Sequence, residues 1–233
     1  MAGSVPEAVV VTGANGGIGT EFCRHYASLG SKVFAACRKA TDEVEALKDP
    51  NIEILGDIDV TSQDSVNRLA AVVKNSGKQV DLLINNAGVI RNEHLFDMNV
   101  DSIQKQFDVN GLGAIRVTST FLKENVIKMP GAKIALITSQ MGSMDDNGSG
   151  GYYGYRMSKA ALNAAGVSMA LDLRQYGVHV AILHPGWVST KMTGYSGLIN
   201  TAESVRGMVE KIDGLNEENT GTWWHTNGKI IKW

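Results

Sequence analysis

Only two cysteines, Cys23 and Cys37, occur in 233 residues. That is too few for a disulfide framework, and a reducing, cytoplasmic setting is the simpler expectation. Charge of either sign is not in excess, since the formal net charge is −2. Without a basic stripe to engage phosphate backbones, nucleic acid is not expected as a partner. The five histidines, His25, His94, His179, His184 and His225, lack ligand spacing, so no metal centre is expected. No apolar run reaches membrane-spanning length, and residues 1–7 carry neither a basic start nor a long apolar stretch, so neither a membrane span nor a targeting segment is expected. The sequon at Asn147 is therefore not expected to be glycosylated. Repeats and low-complexity tracts are also missing, and the length suits one α/β domain over residues 1–233.

What is present is alternation. Short apolar runs at Ala8 to Thr12, Ser31 to Cys37, Ile52 to Leu55, Val80 to Ile84, Lys133 to Ile137 and Val178 to Leu183 are separated by longer stretches of helical period. Such alternation requires crossover connections and a parallel sheet covered on both faces. Near the C-terminus, Gly221 to His225 reads as a last strand. Asn227-Gly228 then reads as a tight turn, and Lys229 to Trp233 as a returning edge segment. Long helices are expected around Val100 to Ile127 and Tyr153 to Tyr176.

The first run leads directly into Gly13, Ala14, Asn15, Gly16, Gly17, Ile18 and Gly19, and then into a segment where Phe22, Tyr26 and Leu29 recur at helical spacing. Strand, glycine turn and helix start follow the order that a dinucleotide site requires. Glycine permits a tight turn and close backbone approach, while free amides and the helix dipole face a diphosphate. Farther on stand Tyr155 and Lys159, four apart, preceded by Ser139 at the end of an apolar run. On one helix the spacing puts both side chains on the same face. A fixed cation there favours a tyrosinate, which makes a phenol usable as an acid and base near neutrality. Alone, the pair reads more readily as a half-buried ring and a solvated charge.

Together these features resemble the short-chain dehydrogenase/reductase family. Thr12 to Gly19 matches its cofactor turn, Asn85-Asn86-Ala87-Gly88 its second motif, and Asn110, Ser139, Tyr155 and Lys159 its catalytic tetrad. Pro185-Gly186 with Val188 and Thr190 matches the segment that grips the nicotinamide end. The wording of residues 137–143, 153–163 and 184–188 is most similar to small carbonyl reductases of the C-factor and sniffer type. The resemblance implies a single Rossmann-type, doubly wound α/β sheet of about seven strands in the order 3-2-1-4-5-6-7. It also implies NADPH-dependent reduction of a small-molecule carbonyl compound, an aldehyde or ketone. In relatives Tyr155 donates the proton, Ser139 bonds the carbonyl oxygen, and Lys159 favours the phenolate and bonds the nicotinamide ribose. Asn110 holds a water linking Lys159 to solvent, and Tyr155 and Lys159 also count among the cofactor contacts. Thr190 and the Val188 amide orient the carboxamide, and Asn86, Ala87 and Gly88 lie along the adenosine side.

Cofactor choice turns on the second strand. An enzyme selecting NAD places an acid near its end, whereas here Ala36 and Cys37 are followed by Arg38. A rigid, permanently charged fork suits a 2′-phosphate, so NADP(H) is expected. Asp59, beside Val60, matches the position that bonds the adenine amino group. Only Lys191 to Asn200 separate the nicotinamide segment from the next helix, so an open pocket is expected, lined by some of Gln140, Met141, Trp187, Met192 and Tyr195. The long helices are the faces on which relatives pair, giving a homodimer or homotetramer. Two competing readings remain: a nucleotide-binding signalling protein whose turnover is incidental, and an NAD-dependent alcohol or steroid dehydrogenase.

Overall fold

A computed structural model describes residues 5–233; residues 1–4, part of the N-terminal stretch read above, lie outside the described residues. Seven strands, all parallel, form one sheet: β1 (Ala8–Thr12), β2 (Lys32–Ala36), β3 (Ile52–Leu55), β4 (Leu82–Asn85), β5 (Lys133–Ile137), β6 (His179–His184) and β7 (Trp223–His225). Their order, β3-β2-β1-β4-β5-β6-β7, is the one expected. Seven α-helices lie among the described residues: α1 (Gly17–Ser28), α2 (Asp42–Glu45), α3 (Gln63–Asn75), α4 (Val100–Phe107), α5 (Gly113–Lys123), α6 (Tyr153–Leu173) and α7 (Thr201–Asp213).

Strand β1 explains the two layers. All five of its residues are buried, and the period of two sends alternate side chains to opposite faces. Val9 and Val11 join Phe22, Tyr26 and Met208 from α1 and α7. Ala8 and Val10 join Leu69, Phe121 and Leu162 from α3, α5 and α6. Each large aliphatic side chain so buried contributes roughly 1.5–3 kcal/mol. Because β1 pairs with β2 on one side and β4 on the other, the chain reverses direction across the sheet beside it, opening a crevice at the carboxyl ends of these strands.

Several boundaries differ from the sequence expectation. Val80 makes only an isolated bridge to Ile127, and β4 begins two residues later. The long helix ends at Lys123, and Asn125 has a left-handed φ of 55°, which turns the chain so that Val126 and Ile127 enter the core. Between α4 and α5 the helix also widens into a π turn, Asp108–Leu112. At the other end of the sheet the returning segment makes one antiparallel bridge, Trp224 to Ile230, and Trp233 stacks on buried Trp223 at 5.2 Å between centroids. Those tryptophans anchor the terminal segment to β7.

Candidate active site

At the carboxyl end of β1 the chain turns at Gly13, φ 64°. A Cβ there would stand 2.7 Å from the Ala87 Cα, and one on Gly19 would stand 2.2 Å from the Gly13 carbonyl oxygen. Only hydrogen fits at either position. The turn is pinned to β4 by Asn86, whose side-chain amide donates to the carbonyls of Thr12 (3.1 Å) and Gly13 (3.0 Å). The Asn86 and Ala87 amides in turn donate to the Thr12 hydroxyl.

Above the turn runs a groove of about 750 Å³. Asn15, Gly16, Gly17 and Ile18 line it at the start of α1, and Ala87 and Gly88 lie along its floor. Arg38, Asp59 and Val60 line its far end, while Thr190, Met192 and Tyr195 form the opposite wall. Arg38 is exposed, and its guanidinium makes no hydrogen bond or ion pair among the described residues. Burial would raise the Asp59 carboxyl, but the Thr61 amide (2.9 Å) and hydroxyl (2.8 Å) together with nearby Arg38 outweigh it and hold Asp59 below the usual carboxylate range. Both Thr61 bonds go to Oδ1, which leaves Oδ2 for a ligand.

The groove wall is a compact loop. An isolated bridge joins Val188 to Ile199, and Trp187 donates from Nε1 to the Ser196 carbonyl at 2.8 Å. Thr190 caps a single 3-10 turn, Lys191–Thr193, and a Cβ on Gly17 would lie 3.0 Å from its methyl group. The segment after β6 thus packs directly over the start of α1. Val188 is buried and, like Pro185 and Gly186, does not line the groove: the Pro185 carbonyl accepts from Ser204 (2.6 Å), and Gly186 has φ 83°.

Beyond Gly88 lies the buried end. A Cβ on Gly88 would stand 3.4 Å from the Asn110 side-chain oxygen and 3.6 Å from Lys159 Nζ, so the groove floor leads straight to these groups. Asn110 sits in the π turn, donates to the Val89 carbonyl (2.9 Å) and Ser158 hydroxyl (2.9 Å), and accepts from the Val89 amide (2.8 Å). Its side-chain N–H groups are both engaged by protein partners. Ser139 follows β5, caps a 3-10 turn (Gln140–Gly142), and is buried. Tyr155 opens α6, with Lys159 one turn on. Lys159 Nζ donates to the Ile137 carbonyl at 2.8 Å and stands 5.7 Å from the Tyr155 ring centroid.

Electrostatics here are set by burial. It raises the Tyr155 phenol, against a smaller opposing pull from the Ser139 hydroxyl, so the phenol keeps its proton at neutral pH. It pushes the Lys159 ammonium down to about 8. His184, at the end of β6, packs edge-to-face on His225 at 4.8 Å and is pushed down to about 3, chiefly by burial, so it is neutral. The expectation of a lowered phenol is therefore not what the protein alone produces, because desolvation of the ring dominates.

Met192 and Tyr195 reach the groove, but Gln140, Met141 and Trp187 do not line it. Gln140 bonds Asp146 at 2.9 Å. Sequence reasoning missed Thr41 and Glu43. The Thr41 hydroxyl donates to the Asn15 carbonyl (2.6 Å), and Glu43 Oε1 accepts from the Gly17 amide (2.8 Å). Helix α2, only four residues long, is too short for periodicity to reveal it.

A family model described as short chain dehydrogenase matches residues 7–199. The chain is 35% identical over 97% of its length, and 99% of the relative's, to 1-hydroxy-2-glutathionyl-2-methyl-3-butene dehydrogenase of Rhodococcus sp. (strain AD45). It is 44% identical to the C-signal of Myxococcus xanthus over 66% of this chain and 93% of that one. Among solved structures, NADPH-bound carbonyl reductase from chicken fatty liver superposes with a TM-score of 0.88 at 31% identity, covering 97% of this chain and 99% of the other. No described helix is long and apolar enough to cross a membrane.

Proposed function

The chain belongs to the short chain dehydrogenase family, and we propose that it is an NADPH-dependent carbonyl reductase acting on aldehydes or ketones. The observation that carries this reading is the buried trio beyond Gly88 of the groove: the Tyr155 phenol, the Ser139 hydroxyl, and Lys159 one turn along α6. Held along the glycine turn and Arg38, NADPH would supply a hydride to the carbonyl carbon. Tyr155 donates its proton to the oxygen as negative charge develops there. Ser139 donates a hydrogen bond to the same oxygen, and one preorganised donor of this kind is worth roughly 3–4 kcal/mol of barrier. Lys159 stabilises the phenolate left behind, and Asn110 holds Val89 and Ser158 around it.

The glycine turn fits a diphosphate because Gly13, Gly16 and Gly17 line the groove at the start of α1 and no Cβ could be accommodated at Gly13 or Gly19. Arg38 offers an unpaired fork to a 2′-phosphate, and Asp59 Oδ2 an acceptor to adenine. NADPH in the chicken reductase supports the same choice. The wall that ends in exposed Met192 and Tyr195 supports a pocket open to varied carbonyl compounds. Exposed Val100, Leu112, Ile115 and Met157 on the outer helices support a homodimer or homotetramer, which sedimentation would measure.

The test is loss of NADPH absorbance with aromatic aldehydes, quinones and α-diketones, run beside NADH and a Tyr155→Phe variant. Turnover should fall by roughly 10²–10⁴-fold in the variant while NADPH still binds. Tight NADPH binding by a wild-type protein without turnover would instead favour the signalling reading, which the C-signal relative supports. The Rhodococcus dehydrogenase favours a further reading, oxidation of an alcohol; turnover of alcohols with the oxidised cofactor, and none of carbonyls, would establish it.

A further inference from the structure

Glu93 is a carboxylate with 3% exposure that no step above uses. It lies in the loop after β4, and no cation pairs with it among the described residues. Instead Oε1 accepts from the Ser102 hydroxyl (2.9 Å) and from the Gln106 amide of α4. Oε2 accepts from the backbone amide of Gly154 at 3.3 Å, and the Glu93 carbonyl accepts from the Tyr152 amide at 3.1 Å. Gln106 in turn accepts from the Arg91 amide at 2.8 Å.

These bonds converge on the start of α6. Its N-cap, Tyr152, has a left-handed backbone (φ 52°) and contributes no side-chain cap, leaving the first amides of a 21-residue helix without a local acceptor. A buried anion at that end is stabilised by the helix dipole and by charge-assisted hydrogen bonds. Packing leaves the helix little freedom to shift: a Cβ on Gly154 would come 3.0 Å from the Ile103 Cα.

We propose that Glu93 is the positioning residue for the turn that carries Tyr155, holding the phenol in line with Ser139 from outside the site. The inference rests on the reductase reading, since alignment of the phenol matters only if it transfers a proton. Displacing a reacting group by about an ångström costs on the order of 100-fold in rate. Glu93→Gln keeps the shape but leaves one acceptor oxygen where the carboxylate has two, so an N–H faces either Gly154 or the Ser102 and Gln106 donors. Gln106→Glu in that background returns a carboxylate to the same network.

The experiment measures kcat and KM with NADPH and an aldehyde, NADPH affinity by fluorescence, and amide hydrogen exchange over residues 152–156, all on the full chain. Glu93→Gln should lower kcat by about 10- to 100-fold with NADPH affinity unchanged and exchange accelerated, and the double variant should recover kcat. An unchanged kcat, a parallel loss of kcat and NADPH affinity, or a double variant without recovery would each overturn the proposal. If Glu93→Gln does not fold, Glu93→Asp, which retains the charge but falls short of Gly154, takes its place with the same expected split. If the wild-type protein reduces no carbonyl, the reductase reading fails by itself; unaccelerated exchange at Gly154 would then also remove Glu93 from its role.

Discussion

Helices α3, α4 and α7 each begin with a cap of their own, Ser62, Asn99 and Asn200, whereas α1, which follows the glycine turn, and α6, which carries Tyr155, do not. Both borrow a glutamate from elsewhere in the chain. At α1 the donor of the carboxylate is Glu43, exposed at the groove; at α6 it is Glu93, buried and held by three side-chain or backbone donors. The same electrostatic device has opposite consequences. Water and ligands can compete for the exposed contact, so an incoming diphosphate is able to replace Glu43. The buried one has no replacement, because an uncompensated acceptor or donor there would carry its full desolvation penalty. The molecule is thus exchangeable where it binds and fixed where it reacts.

The sharpest way to probe the fixed end is pH. Lysine's ordinary value is 10.5, and burial pushes Lys159 down to about 8. Between those two values the unfolded chain holds a proton that the folded one has released, so folding stability rises with pH across that window. Relative to Lys159→Met, the wild-type protein should gain about 3 kcal/mol from pH 8 to pH 10.5. Denaturant midpoints for the two proteins that run parallel with pH would mean that the ammonium is solvated.

Changes in the groove should alter binding rather than stability of that kind. Gly19→Ala forces a Cβ against the Gly13 carbonyl, 2.2 Å away; NADPH affinity should fall on the order of 100-fold as the turn opens, read by fluorescence titration. Arg38→Ala should reduce the preference for NADPH over NADH by about 10-fold or more, with kcat on NADPH unaltered. A full retained preference would remove Arg38 from the 2′-phosphate assignment. The smallest effect is expected from Glu43→Gln. Removing a carboxylate that competes for the Gly17 amide should tighten NADPH by about two- to fivefold, and weaker binding would show instead that Glu43 props the turn open for its ligand.

Much of this was legible in the order of residues. A glycine turn between a strand and a helix is local, so its geometry follows from a few consecutive positions, and the spacing of Tyr155 and Lys159 follows from helical period alone. The π turn at Asn110 was not legible, because a widened turn has no periodic signature distinct from the helix around it. Neither borrowed glutamate could be found either. Glu43 reaches Gly17 across 26 positions and Glu93 reaches Gly154 across 61, and nothing in the pattern near Glu43 or Glu93 marks it as a cap.

By itself the sequence determined a parallel sheet through its alternation of apolar runs and helices, its motifs brought the strand order by family resemblance, and it determined much of the contents of the site through contiguous motifs, since period and turn chemistry act over a few residues. Only the tertiary structure decided how those contents are charged and held. Desolvation of Tyr155 and Lys159 depends on every element packed around them, and hydrogen bonds to buried helix ends come from whichever acceptor the fold brings near.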